Sequence, residues 1–443
     1  MNLDLTQGSI KEHIKTLAIP SSIGYFFHTM FNVTDTYFAG NISTEAIASL
    51  SLSFSIFFTI IAMSGGMSQG VTALVGNAMG EKNETNTKQI LLHAFVFALF
   101  LAIFITTVGI LSAPYLLSKL GASGAYLETA YAYISIIIMG AGFFVGVMFS
   151  NALLNSIGNT RAFRNFLVSG FFLNILLDFW FVNGGLGLPA MGVKGIALAT
   201  VIIEFLGMCY LISELRKTHL LQNLPKFVFD FQIIVDIFKQ GIPATVNMVL
   251  MALGMFVITY YIAPFGQHVV AAYGVAIRIE QIVLLPSIGL NVAVLSIVSQ
   301  NNGAKAYERV KECVKVAQSI GFKLWILGMV FLFLFSRTLL EVFTDDILVI
   351  EAGETYLYIA ALAIYAYVLV FINISLLQGI KQPALLIYLS LFRQLIVPVV
   401  VFTIFTFFSL PLIYYWVGIA CFIWLSAWFI LWYARQKLSK LVH

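Results

Sequence analysis

Apolar residues arrive in long runs rather than at amphipathic spacing, and the runs recur from one end of the chain to the other. Leu91–Leu111, Tyr133–Leu154 and Ile413–Tyr433 are examples. Each has about the 20 residues that a helix needs to cross the hydrocarbon of a bilayer. Read with the turn signals between them, the runs predict twelve spans at roughly 14–39, 46–76, 88–117, 124–153, 165–183, 191–213, 240–263, 269–299, 316–336, 353–377, 384–408 and 412–433. No soluble domain fits between them. The expected fold class is all-α, a polytopic membrane protein with twelve transmembrane helices.

Composition agrees: 60% of the 443 residues are hydrophobic and 10% charged, where a soluble domain carries about 25% charged residues. Charge adds an orientation. With a cytoplasmic N-terminus, the inside segments hold 18 Lys and Arg and the outside segments only Lys119, Lys194 and Arg337. By the preference of cations for cytoplasmic loops, both termini lie inside, as suits an even number of spans in the cell (inner) membrane. The first apolar stretch follows Lys11 and Lys15 and lacks a small-x-small cleavage site, so it reads as a first span and not as a signal peptide.

The second half of the chain repeats the first at a constant offset of 223. Ile19-Pro20 meets Ile242-Pro243, Gly66 meets Gly289, Gly80 meets Gly303, Lys82 meets Lys305, and Leu153–Ile157 meets Leu376–Ile380 without a gap. Six spans per copy place both copies the same way up, as parallel repeats related by an axis along the membrane normal. The lobes expected are 1–215 and 240–443, joined by a polar cytoplasmic linker at 216–239 containing Pro225. Two such six-helix lobes are a general design of alternating-access transporters.

An acid inside a span costs a few kcal/mol to insert and is a functional candidate by default. Asp35 and Asp178 fall near the outer ends of spans one and five, Glu280 lies in span eight, and Glu204 is placed less deeply. Asn174 precedes Asp178 by four residues and so shares its helix face. Tyr133 and Thr200 reach a similar depth on spans four and six. These five groups make a polar pocket in the outer half of the N-terminal lobe physically reasonable. Two carboxylates in a poorly hydrated pocket cannot both ionise cheaply, which suits a proton carrier. Asp35, Asn174, Asp178 and Thr200 would equally offer Na⁺ the oxygen ligands that hard cations take. At the repeat offset Asp35 falls on Ile258 and Asp178 on Val401, so the cation site is expected in the N-terminal lobe alone. Arg278 and Glu280 are two residues apart, about 200° around a helix, and each needs another partner. Arg278, Lys323 and Arg393 are the cations that fall within spans. Pro20 removes a backbone hydrogen bond from span one and is a candidate hinge or a plain packing kink.

Neither metal nor hydrolase spacing is present. The six histidines, His443 among them, show no His-Glu-x-x-His pattern, no Gly-x-Ser-x-Gly elbow appears, and Cys209, Cys313 and Cys421 are scattered. The chain is expected not to be an enzyme and to need no cofactor beyond a coupling ion.

The chain resembles the multidrug and toxic compound extrusion (MATE) family, in particular its DinF-like branch. The resemblance rests on the early Ile-Pro, Asn-Val-Thr-Asp-Thr-Tyr-Phe-Ala-Gly at 32–40, Gly-Asn-Thr-Arg at 158–161, Asn-Ile-Leu-Leu-Asp at 174–178 and Ile-Arg-Ile-Glu at 277–280, in that order over twelve spans. It implies a secondary exporter of lipophilic or cationic organic compounds, driven by inward H⁺ or Na⁺. Asp35 would be the first-span acid, with Tyr133, Asn174, Asp178 and Thr200 as its cation network, and Pro20 would be the bend of the first helix. Asn151 would line the substrate cavity, and Glu280 is a further candidate for it. The acids that the NorM-like branch carries in spans seven and ten have no counterpart here. Small organic substrates and the bilayer are the partners implied; no nucleic acid is, and a monomer is expected. The rival reading is a flippase of lipid-linked saccharides, which would need a basic cavity.

Overall fold

The computed structural model describes residues 4–185 and 187–442; His443 lies outside them. Among the described residues there are fourteen α-helices and no strand ladder. They are α1 (Ile10–Ile42), α2 (Thr44–Gly80), α3 (Glu84–Lys119), α4 (Gly124–Met139), α5 (Ala141–Ser156), α6 (Arg161–Asn183) and α7 (Val193–Arg216), followed by α8 (Phe231–Ile262), α9 (Gln267–Gly303), α10 (Tyr307–Glu341), α11 (Ile347–Gly379), α12 (Leu385–Leu391), α13 (Val397–Phe407) and α14 (Leu412–Val442).

Ten of these stretches are long and apolar enough to cross a membrane, α12 and α13 counting as one, and α4 with α5 makes an eleventh. α1, the remaining one of the twelve spans expected from the sequence, is not among them, because its polar positions lower its hydropathy. Its Ser, Thr and Asn side chains turn back onto their own helix: Ser21 donates to the Leu17 carbonyl, Ser22 to Ala18, Thr29 to Tyr25, Thr34 to Met30 and Thr36 to Asn32. Such bonds satisfy the hydroxyls without a partner helix.

The offset of 223 survives in the backbone. It carries α2 onto α9 and the combined α4–α5 onto α11 end for end. It also carries left-handed turn residues onto each other, Lys82 (φ 55°) onto Lys305 (φ 56°) and Gly158 (φ 76°) onto Lys381 (φ 59°). The copies differ where their residues do. The expected fourth span is bent by 45° between α4 and α5, whereas α11 is continuous. The break falls at Gly140, where a Cβ would lie 2.6 Å from the Val201 side chain of α7; Ala363 holds the matching position in α11. The expected eleventh span contains a π turn at Phe392–Ile396, just before Pro398, whose missing N–H cannot sustain the regular ladder.

The described residues divide into two compact units, Asp4 with Ile23–Thr245 and Leu5–Ser22 with 246–442. These differ from lobes at 1–215 and 240–443 by an exchange of helix ends: the first part of α1 belongs with the second unit, and the first part of α8 with the first. The changeovers follow Pro20 and Pro243 by the same two residues. Glycines permit the close approach. A Cβ on Gly66 would lie 2.2 Å from Thr245 Oγ1, and one on Gly289 2.1 Å from Ser22 Oγ. The segment between α7 and α8 is fastened to α3: Gln89 donates to the Lys226 carbonyl at 2.8 Å, and the Asp230 amide donates to His93 Nε2 at 2.8 Å. His93 thereby has a structural role.

Candidate functional site

Asp35, Asn174, Asp178 and Thr200 meet inside the first unit. Asn174 and Asp178 lie one turn apart on α6, and the Asn174 amide nitrogen donates to Asp178 Oδ2 at 3.1 Å and to Asp35 Oδ1, on α1, at 3.1 Å. Thr200 on α7 places its hydroxyl 3.3 Å from Asp35 Oδ2 and 3.1 Å from the Ile196 carbonyl, so its one proton is shared between them. Asn174 and Asp178 have no exposed surface and Asp35 retains 8%. Tyr133, on α4, is buried and within electrostatic reach of both carboxyls.

Gly170 explains how three helices converge here. It sits one turn before Asn174, and a Cβ on it would lie 2.9 Å from the Phe31 ring of α1 and 3.2 Å from Ile203 of α7. Phe31 is one turn before Asp35, and Ile203 is close in sequence to Thr200. The glycine therefore sets the spacing of the helices that carry the site.

The two carboxyls share one donor and are buried together, where both cannot ionise cheaply. The Asn174 nitrogen facing both acids suits a shared proton. Asn174 Oδ1 and Asp178 Oδ1 are buried without a protein partner. With the amide turned, Asn174 Oδ1 would join the carboxyl oxygens and the Thr200 hydroxyl in an all-oxygen set that fits Na⁺. Among the described residues no group of three or more His, Cys, Asp or Glu side chains is placed to hold a metal ion.

Glu204 extends this polar line. It lies four residues after Thr200 on α7, is 8% exposed, and has Oε2 buried without a partner. Its spacing from Thr200, the same that links Asn174 to Asp178, was the signal in the sequence. Asn151 is buried on α5 with its Oδ1 unpartnered. Asn151 and Glu280 fall in different units.

Glu280 finds its partner within the second unit. Tyr356 on α11 donates to Glu280 Oε2 at 2.7 Å, and its ring meets Trp416 edge-on at 5.0 Å. Both belong to a small cavity that Tyr367 also lines. Tyr356 is the repeat counterpart of Tyr133, so applying the 223 offset to that tyrosine would have located it. The second unit thus has a buried acid of its own, at a position unrelated to Asp35 by the repeat. Arg278 is exposed while Glu280 is buried, as their angular separation requires. Lys323 is exposed as well; Arg393 alone of the three cations is buried, with Nε and Nη1 unpartnered.

Comparison with known proteins follows the same geometry. The family model described as MatE matches residues 20–180 and 243–404, one segment per copy of the repeat. A probable multidrug resistance protein NorM of Thermotoga maritima is 26% identical over 97% of this chain and 94% of its own length. An FAD transporter of Shewanella oneidensis is 24% identical over 88% of this chain and 86% of its own. A transporter of the MOP superfamily from Pyrococcus furiosus has a solved structure that superposes with a TM-score of 0.93 at 25% identity, covering 99% of this chain and 98% of that one. The chain belongs to the MATE family of multi-pass membrane transporters and is not an enzyme.

Proposed function

We propose that the protein is a secondary multidrug exporter of the DinF-like type, resident in the cell membrane with both termini cytoplasmic, which expels lipophilic or cationic organic compounds in exchange for inward H⁺ or Na⁺. The observation that carries this reading is the buried Asp35–Asn174–Asp178–Thr200 cluster. A proton or Na⁺ arriving there removes the cost of an unpaired carboxylate in a low-dielectric interior.

Coupling follows from differential affinity. An ion drives a conformational change only to the extent that it binds one state better than the other. Asp35 shares α1 with Pro20, and that helix passes from one compact unit to the other just after the proline. A change in charge at Asp35 therefore acts on the element that joins the two units, and Pro20 supplies a point at which that helix yields. Asn151 and Glu280 are polar contacts for cargo on this reading.

The deciding experiment is efflux of several unrelated lipophilic cations from vesicles, with ΔpH and ΔNa⁺ imposed one at a time. Export under either gradient supports the proposal. Export under neither, with flipping of a lipid-linked saccharide instead, replaces it.

A further inference from the structure

Away from the carboxyl cluster, at the end of the second unit where α10 begins and α14 finishes, lies a cavity of about 350 Å³. Lys311, Lys315 and Gln318 enter it from one face of α10, and Arg435 and Ser439 from one face of α14. Asn373 of α11, 1% exposed, is also part of its lining. Val314, Leu431 and Leu438 supply apolar walls. Lys311 is partly neutralised by Glu308 at 2.9 Å, whereas Lys315 and Arg435 form no ion pair among the described residues.

The surroundings say what kind of anion belongs there. On α14, Trp428 and Trp432 continue the ridge of Arg435 and Ser439 towards the middle of the helix, and they are 72% and 50% exposed. On α10, Phe322 and Ile326 continue the ridge of Lys315 and are exposed too. Each helix thus presents a basic end and, running from it at helical spacing, a bare apolar or aromatic strip. A soluble anion would use only the first. A phosphate joined to acyl chains would use both, with the headgroup among the cations and the chains along the strips. The excess of Lys and Arg at this end of the spans puts the cavity on the side of the membrane where basic pockets between helices hold anionic headgroups.

We infer that the groove between α10 and α14 is a binding site for a phosphate-bearing anionic lipid. Lys315 and Arg435 contact the phosphate, Gln318, Ser439 and Asn373 offer hydrogen bonds to the headgroup, and Trp428 and Trp432 lie against the chains. The assignment is independent of what the protein exports.

The test uses the full-length protein in phosphatidylcholine nanodiscs and measures binding of phosphatidylglycerol by native mass spectrometry. A basic residue near an anionic headgroup is worth about fivefold in affinity, so Lys315→Gln with Arg435→Gln should weaken binding roughly 25-fold. Lys315→Arg should keep it, and Lys194→Gln, which changes a cation of the first unit that does not line the groove, should leave it unchanged. Glycerophosphate, which has the headgroup without the chains, should fail to compete at concentrations where phosphatidylglycerol saturates. Equal lipid binding by the double variant and the parent overturns the site. Competition by glycerophosphate as strong as that of the lipid overturns the lipid assignment in favour of a soluble phosphate. Loss of fold in the double variant shifts the comparison to Arg435→Gln alone, where the expected loss is about fivefold and no loss is the contrary result.

Discussion

Asn174 holds the carboxyl pair together: its single amide nitrogen bridges Asp35 and Asp178. Asn174→Leu leaves two buried carboxyls without their common donor, and a hydrogen bond to a charged group is worth about 1.5–3 kcal/mol. Ion-driven efflux should fall by roughly ten- to a hundredfold while the protein still reaches the membrane, as vesicle transport and a surface-expression assay would show. Tyr356→Phe makes the contrasting case. It deletes the donor to Glu280 and strands a buried acceptor, at a cost of about 1–3 kcal/mol in stability, so the thermal midpoint should drop while the ratio of efflux to imposed gradient is retained. A Tyr356→Phe protein that binds cargo but no longer responds to the gradient would move part of the coupling to the second unit. At this scale the sequence was informative where helix spacing governs, as for Asn174 and Asp178 on one face. It was less direct where the partner comes from another helix: nothing local to Glu280 identifies Tyr356, 76 residues away, and only the repeat offset from Tyr133 points to it.

Helix packing depends on a few positions that admit no side chain. Gly66 and Gly289, matched by the repeat, touch Thr245 and Ser22, which are matched as well. At Gly66 the obstructing atoms include the Thr245 backbone nitrogen at 2.4 Å, so trimming the Thr245 side chain does not make room. Gly66→Ala and Gly289→Ala should each destabilise by about 1–3 kcal/mol, the usual cost of forcing extra volume into a packed interface, and Thr245→Ala should not rescue the first. Thermal unfolding in detergent reads both outcomes. Gly170→Ala acts nearer the site: it pushes on Phe31 and Ile203 and should weaken coupling more than it weakens the fold. The bend at Gly140 and the π turn before Pro398 show what hydropathy leaves out. A run such as Tyr133–Leu154 is equally apolar whether the helix in it is straight or bent, and only the missing Cβ against Val201 marks the break.

The whole molecule was legible in outline because its constraint is global. Polar backbone cannot be left unpaired in lipid, so long apolar runs must be helices, and a gapless repeat forces the two halves to share their order of elements. The exchange of helix ends between the units was not legible, since lobes drawn from hydropathy end at loops, whereas these units divide inside α1 and α8. That exchange ties the carboxyl site to a helix belonging to both units. Coupling therefore turns on one residue. Purified Asp35→Asn, reconstituted in proteoliposomes, should bind cargo yet show no uphill export under ΔpH or under ΔNa⁺. Export against a concentration gradient at near the parent rate, under either gradient, would contradict the account and place the coupling elsewhere in the protein.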